Sequence, residues 1–235
     1  MMWIHEHEDW PNFIWDDKVL TSDLADIRHR QGHLLGRMEG LGFELKREAN
    51  LTTLTNDVVN SSAIEGENLR SEEVRSSIAR QLGMDIAGLV PASRDVEGIV
   101  EMMLNATQQF EIPLTKERLF DWHAALFPTG RSGMHRITVG AWRTAEAGPM
   151  QVVSGPIGNE KVHFEAPEAG KLDREMTVFL KWFDAKSKID PVIRAGIAHL
   201  WFVTIHPFED GNGRIARAIA DMALARADGA SNRYY

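Results

Sequence analysis

The chain has 235 residues, of which 43% are hydrophobic and 26% charged, and a net charge of −8. That length supports one large domain with its own core, and the acidic balance argues against a surface built to hold nucleic acid or an anionic membrane. There is no cysteine, which excludes disulfides, zinc–thiolate sites and thiol nucleophiles.

The first twenty residues are acidic and hold Trp3, Trp10, Phe13 and Trp15 around Pro11. They have neither the basic nor the apolar region of a signal peptide, and they read as an irregular arm that packs its aromatic rings on the body. Leu24, Ile27, Leu34, Leu35 and Met38 recur at helical spacing between Thr21 and Gly40. A second helix is predicted from Glu44 to Ala63, with Leu45, Leu51, Leu54, Val58 and Val59, and a third from Ser71 to Leu82, ended by Gly83. Ser93 and Thr115 are natural caps for helices running to Phe110 and Leu126.

From Thr129 to Ala166 glycine and proline become frequent. Short β-prone runs appear at Arg136–Val139, Met150–Ser154 and Lys161–Phe164, the last two separated by the turn-rich Gly155-Pro-Ile-Gly-Asn. This predicts a β-hairpin within a helical protein. Pro167 should start a helix carrying Leu172, Met176, Phe179, Leu180 and Phe183. Asp190-Pro191 opens a helix apolar nearly all round, and a final helix runs from Arg214 to Ala227. No apolar stretch is long enough to span a bilayer.

Between the last two helices lies His206-Pro-Phe-Glu-Asp-Gly-Asn-Gly-Arg-Ile-Ala-Arg217. Pro207 stops the apolar helix and leaves His206 projecting from its end. Gly211, Asn212 and Gly213 lead into the last helix, where successive backbone N–H groups and the helix N-terminus form an anion site. Arg214 and Arg217 share a face in the first turn, where cations oppose the macrodipole. A bound polyphosphate resolves that conflict. Asp210 adds a hard oxygen ligand for magnesium, and His206 a base that titrates near neutral pH. The set suits in-line attack on a nucleotide phosphate.

This run resembles the Fic family signature, H-x-F-x-[DE]-G-N-G-R-x-x-R, at every specified position. The resemblance implies an all-α, Fic-type helical bundle with a β-hairpin flap over the active site. It implies a protein adenylyltransferase that uses ATP and magnesium (Mg2+) to place AMP on Tyr, Ser or Thr hydroxyls, releasing pyrophosphate. His206 is then the base and Asp210 the metal ligand. Phe208 anchors the loop, and Gly211, Asn212 and Gly213 meet the α- and β-phosphates. Arg214 reaches the β/γ-phosphates, and Arg217 the γ-phosphate or an inhibitory glutamate. Met150, Gln151, Val152, Val153 and Ser154 resemble the flap that clamps an extended target by strand addition.

Ser61-Ser-Ala-Ile-Glu65-Gly66 resembles the family's inhibitory motif, [ST]-x-x-x-E-[GN]. Its position before the catalytic core is that of the subclass with an N-terminal inhibitor. Glu65 would pair with Arg217 in place of the γ-phosphate, and Ser61 would brace it. The resemblance divides the chain into an N-terminal Fic-associated segment, 1–43, and a catalytic domain, 44–235. The acidic charge, the missing signal peptide and the lack of a spanning stretch imply a cytoplasmic protein without nucleic-acid or membrane partners, and the resemblance implies ATP and a hydroxyl-bearing protein as partners and a homodimer. Removal of AMP at the same site, or nucleotide sensing without turnover, are the competing functions. His29 and His33 read as a solvated face, and His199 as a core histidine.

Overall fold

The structure, a computed structural model, describes residues 2–156, 159–231 and 234. Eight α-helices carry the described chain: α1 (Asp17–Glu39), α2 (Phe43–Ile64), α3 (Ser71–Gln81), α4 (Arg94–Gln108), α5 (Lys116–Leu126), α6 (Leu172–Asp184), α7 (Pro191–Ile205) and α8 (Asn212–Asp228). Several starts follow from side-chain capping. Asp16 accepts from the N–H groups of Lys18 and Val19, Ser93 from Val96, Thr115 from Arg118 and Asp190 from Val192. The helix expected from Pro167 begins later, at Leu172, after a single 3₁₀ turn over Ala169–Lys171.

The α7–α8 pair is central. Trp201, Phe202 and Ile205 of α7 and Ile215, Ile219 and Met222 of α8 are buried with Val100 and Met103 of α4 and Leu119 of α5. Gly98 lets α4 approach α5 so closely that a methyl group there would run into the Ala125 carbonyl. α7 is not buried all round, since Leu200 is exposed. The predicted core face of α1 also largely fails. Only Met38 is buried there, Ile27 is exposed, and Leu45 at the start of α2 is exposed as well. α2 joins the core from Leu51 onward.

Two small antiparallel hairpins replace the single one expected. β1 (Arg131–Ser132) pairs with β2 (His135–Arg136), so the β-prone run at Arg136–Val139 contributes only its first residue to a strand. β3 (Gln151–Ser154) pairs with β4 (Lys161–Glu165), with a register irregularity between Val152 and Val153. Of the turn between β3 and β4, Ile157 and Gly158 lie outside the described residues. The N-terminal arm packs as its composition suggests. Trp10 and Phe13 sit on Trp201, and Trp3 meets Phe164 of β4 edge-on.

Candidate active site

His206 caps α7 in the left-handed region, with φ 51, the only described non-glycine residue with positive φ. Histidine tolerates this conformation better than branched residues do, and the buried Arg143 holds it. The Arg143 Nε donates to the His206 carbonyl at 2.7 Å, its backbone N–H to the Pro207 carbonyl at 2.9 Å, and Nη2 to the Pro167 carbonyl. His206 Nδ1 lies 3.2 Å from the Val203 carbonyl. A carbonyl only accepts, so Nδ1 carries the proton and Nε2 keeps its lone pair. Burial lowers the pKa of His206 below the ordinary histidine value. The imidazole is therefore a neutral base at neutral pH.

The loop after His206 is pinned from below. Phe208 is fully buried and stacks flat on the His123 ring at 4.1 Å. The Gly140 N–H donates to His123 Nδ1, which fixes Nε2–H as donor to the Asp210 carbonyl, both at 3.2 Å. Asn212 closes the loop with its side chain, accepting from the Phe208 N–H at 3.0 Å and donating to the Phe208 carbonyl at 2.9 Å. These two bonds lock the side chain onto the Phe208 backbone and leave the Asn212 backbone N–H facing the start of α8. Gly211 has φ 79, and the Phe127 ring leaves no room there for a side chain. The first N–H groups of α8, at Asn212, Gly213 and Arg214, have no carbonyl one turn back to reach.

Arg214 is buried, with its guanidinium 5.1 Å from the centre of the Phe127 ring. Its Nη1 donates to both carboxylate oxygens of Glu67, at 2.9 and 2.8 Å, while its buried Nε has no partner among the described residues. Arg217 is gripped by the last turn of α2. Its Nε donates to Ser61 Oγ at 2.8 Å, and Nη2 to the Ser61 carbonyl at 2.9 Å and Glu65 Oε1 at 2.7 Å. Glu65 also lies so close to Gly213 that a methyl group there would meet its carboxylate. The chain thus lays a carboxylate across the N-terminus of α8, where the dipole and the free N–H groups favour an anion.

Asp210 has a single carboxylate at the lip of the loop. Its Oδ1 accepts from the Gly211 N–H at 2.6 Å and its Oδ2 from the Ser132 hydroxyl of β1. No group of three potential metal ligands exists among the described residues. One carboxylate beside an anion nest suits a magnesium ion that arrives on phosphates, which keeps several waters, rather than a protein-caged ion.

Residues 113–224 match the model of the Fic/DOC family. That match spans just under half of the chain. Residues 3–84 match a second model, described as a domain of unknown function (DUF4172). The protein adenylyltransferase fic-1 of Caenorhabditis briggsae is 30% identical over 213 residues, which is 90% of this chain and 38% of that protein. The protein adenylyltransferase Fic of Drosophila melanogaster is 26% identical over 185 residues, 77% of this chain and 34% of that protein. The chain therefore spans little more than a third of either curated relative. A Fic domain containing signaling protein from Bacteroides thetaiotaomicron superposes with a TM-score of 0.61 at 24% identity, over 82% of this chain and 69% of that one. Fic-1 from C. elegans superposes with a TM-score of 0.57 at 24% identity, over 89% and 60%. These likenesses carry the fold.

Within the matched stretch, β3 pairs only with β4, so its second edge bears no strand among the described residues. Val152 and Val153 are exposed, and Met150, just before β3, accepts from the Ala166 N–H at 2.9 Å. Gln151 donates to Glu165 and Ser154 faces His163, each across 2.6 Å. His199 is half-buried rather than in the core, within range of the charges of Arg217 and Asp221. His29 and His33 are exposed, as expected.

Sequence reasoning missed Glu67, His123, Ser132 and Arg143. Glu67 alone had a local signal, the acidic residue on the far side of Gly66. The other three reach the loop only through the packing of distant segments.

Proposed function

We propose that this chain is an autoinhibited protein adenylyltransferase that moves AMP from ATP to a Tyr, Ser or Thr hydroxyl of a target protein. The observation that carries the reading is the placing of a neutral His206, its Nδ1 bound to the Val203 carbonyl, beside the N-terminus of α8, where Glu65 pairs with Arg217 and lies against Gly213. The resemblance assigns the rest. The β- and γ-phosphates would lie toward Arg214 and Arg217, with Asp210 holding magnesium, which supplies charge neutralisation of the phosphates. The target hydroxyl oxygen attacks the α-phosphorus as Nε2 accepts its proton. The bond from the α-phosphorus to the bridging oxygen breaks, and pyrophosphate leaves.

Met150–Ser154 offers the docking edge for an extended target segment. Main-chain pairing there supplies affinity with little demand on target sequence. The catalytic unit is assigned to residues 44–235, because α2 contributes both core residues and the inhibitory turn Ser61–Gly66, and residues 1–43 are assigned as the accessory segment. A cytoplasmic location and a homodimer complete the proposal. The dimer is supported by the exposed Val19, Ile27, Phe43 and Leu45 and is testable by light scattering. No described helix is long and apolar enough to cross a membrane.

The test uses magnesium and ATP labelled at the α-phosphate, with wild type, Glu65→Gly, and Glu65→Gly combined with His206→Ala. Label should enter the protein or lysate targets strongly only with Glu65→Gly and vanish when His206 is also replaced. Absence of label in all three would sink the transferase reading. Loss of label from a pre-modified target, by wild type only, would identify AMP removal instead.

A further inference from the structure

α2 ends in a left-handed turn. Gly66 takes φ 81, and the Glu67 N–H returns to the Ser62 carbonyl at 3.0 Å. The glutamates on either side of this glycine therefore face the first turn of α8 together, and each reaches a different arginine. Glu65 accounts for Arg217 alone. Arg214 belongs to Glu67, whose side chain is 45% exposed while that of Arg214 is 5% exposed.

We propose that Glu67 is a second inhibitory carboxylate, which neutralises Arg214 while Glu65 neutralises Arg217, so that the cradle is fully open to a nucleotide polyphosphate only when both have left. The inference rests on the reading of the 206–217 loop as a nucleotide site. An anion at the start of α8 gains from two guanidinium groups, and each carboxylate cancels one of them. Removing Glu65 alone leaves Arg214 paired.

The Glu67 contact is built to be exchanged. Both its oxygens share the single Nη1 of Arg214, and the buried Nε stays without a partner among the described residues. A polyphosphate offers oxygens to several N–H groups of the guanidinium at once, whereas Glu67 meets only Nη1. A half-exposed carboxylate also returns to water at small cost. Because both glutamates hang on one turn, a single displacement of residues 61–67 releases both arginines.

A positioning role for Glu67, aiming Arg214 at the phosphates, makes the opposite prediction. The experiment measures calorimetric binding of magnesium with a non-cleavable ATP analogue to the whole chain, for wild type, Glu65→Gly, Glu67→Gln and the double variant. Gln keeps the size and one acceptor, and Glu67→Asp, which keeps the charge but shortens the reach, serves as a second variant should Gln fold poorly. The double variant should bind about fivefold tighter than Glu65→Gly, the scale of one partly exposed ion pair, and Glu67→Gln or Glu67→Asp should bind tighter than wild type. Equal or weaker binding by the double variant than by Glu65→Gly overturns the proposal and makes Glu67 a positioning residue. Transfer of labelled AMP is read in parallel. No transfer from any variant, with the affinity order intact, overturns the transferase reading but supports two carboxylates on one cradle. No binding by any variant overturns both.

Discussion

His123 links the stability of the loop from His206 to Arg217 to pH. Its ring is fully buried against Phe208 and Phe127, and it takes a hydrogen bond at Nδ1 and gives one at Nε2, so it is useful only while neutral. Burial lowers its pKa from 6.5 to about 4. Above about pH 6.5 the imidazole is neutral in both the folded and the unfolded chain, and its full contribution is present. As pH falls from about 6.5 toward 4, the unfolded chain takes up a proton that the folded one refuses, so stability falls with pH through that window. A pKa difference of this size is worth about 3 kcal/mol across the window. Urea unfolding of wild type and His123→Gln between about pH 7 and pH 4 isolates the effect, because the carboxylates and other histidines contribute equally to both. Wild type should lose about 3 kcal/mol more than the variant over that range. The His123 ring resonances should titrate near 4 rather than near 6.5. Parallel stability curves, or a ring that titrates near its ordinary value, would refute the reasoning.

Three further outcomes follow from the same packing. Phe208→Ala removes a fully buried ring between His123, Trp142 and Phe202 and should cost about 3–5 kcal/mol by urea unfolding, with loss of nucleotide binding. A cost below about 1 kcal/mol would mean that the loop is not anchored as described. Gly98→Ala, by contrast, should cost at least about 1–3 kcal/mol from overpacking against the Ala125 carbonyl, seen as a lowered thermal midpoint with the site residues untouched. In the Glu65→Gly variant, transfer should need a neutral His206, so its rate should fall only at acidic pH, with a midpoint below about 6.5. A midpoint above that value would place the base elsewhere.

The loop from His206 to Arg217 was legible because its chemistry is contiguous. A base after a helix stop, a carboxylate, a glycine-flanked nest and two wrongly charged arginines all lie between His206 and Arg217, where local rules for caps, dipoles and turns apply. Helix starts at Ser93, Thr115 and Asp190 were legible for the same reason, since each cap acts within its own first turn. Spacing alone did not say which apolar faces find a partner. Ile27 and Leu45 keep the helical period yet stay in solvent, because periodicity marks a face without supplying something to cover it. The partners of the loop were equally hidden. Nothing near His123, Ser132 or Arg143 in the chain announces that they meet Phe208, Asp210 and His206. Glu67 could be seen beside Gly66, but its arginine could not. Those pairings exist only once α2, α5 and the hairpin β1–β2 have packed on α7 and α8. The sequence by itself determined which groups could handle a nucleotide phosphate, and the tertiary structure decided which carboxylates cover them and what holds them in place.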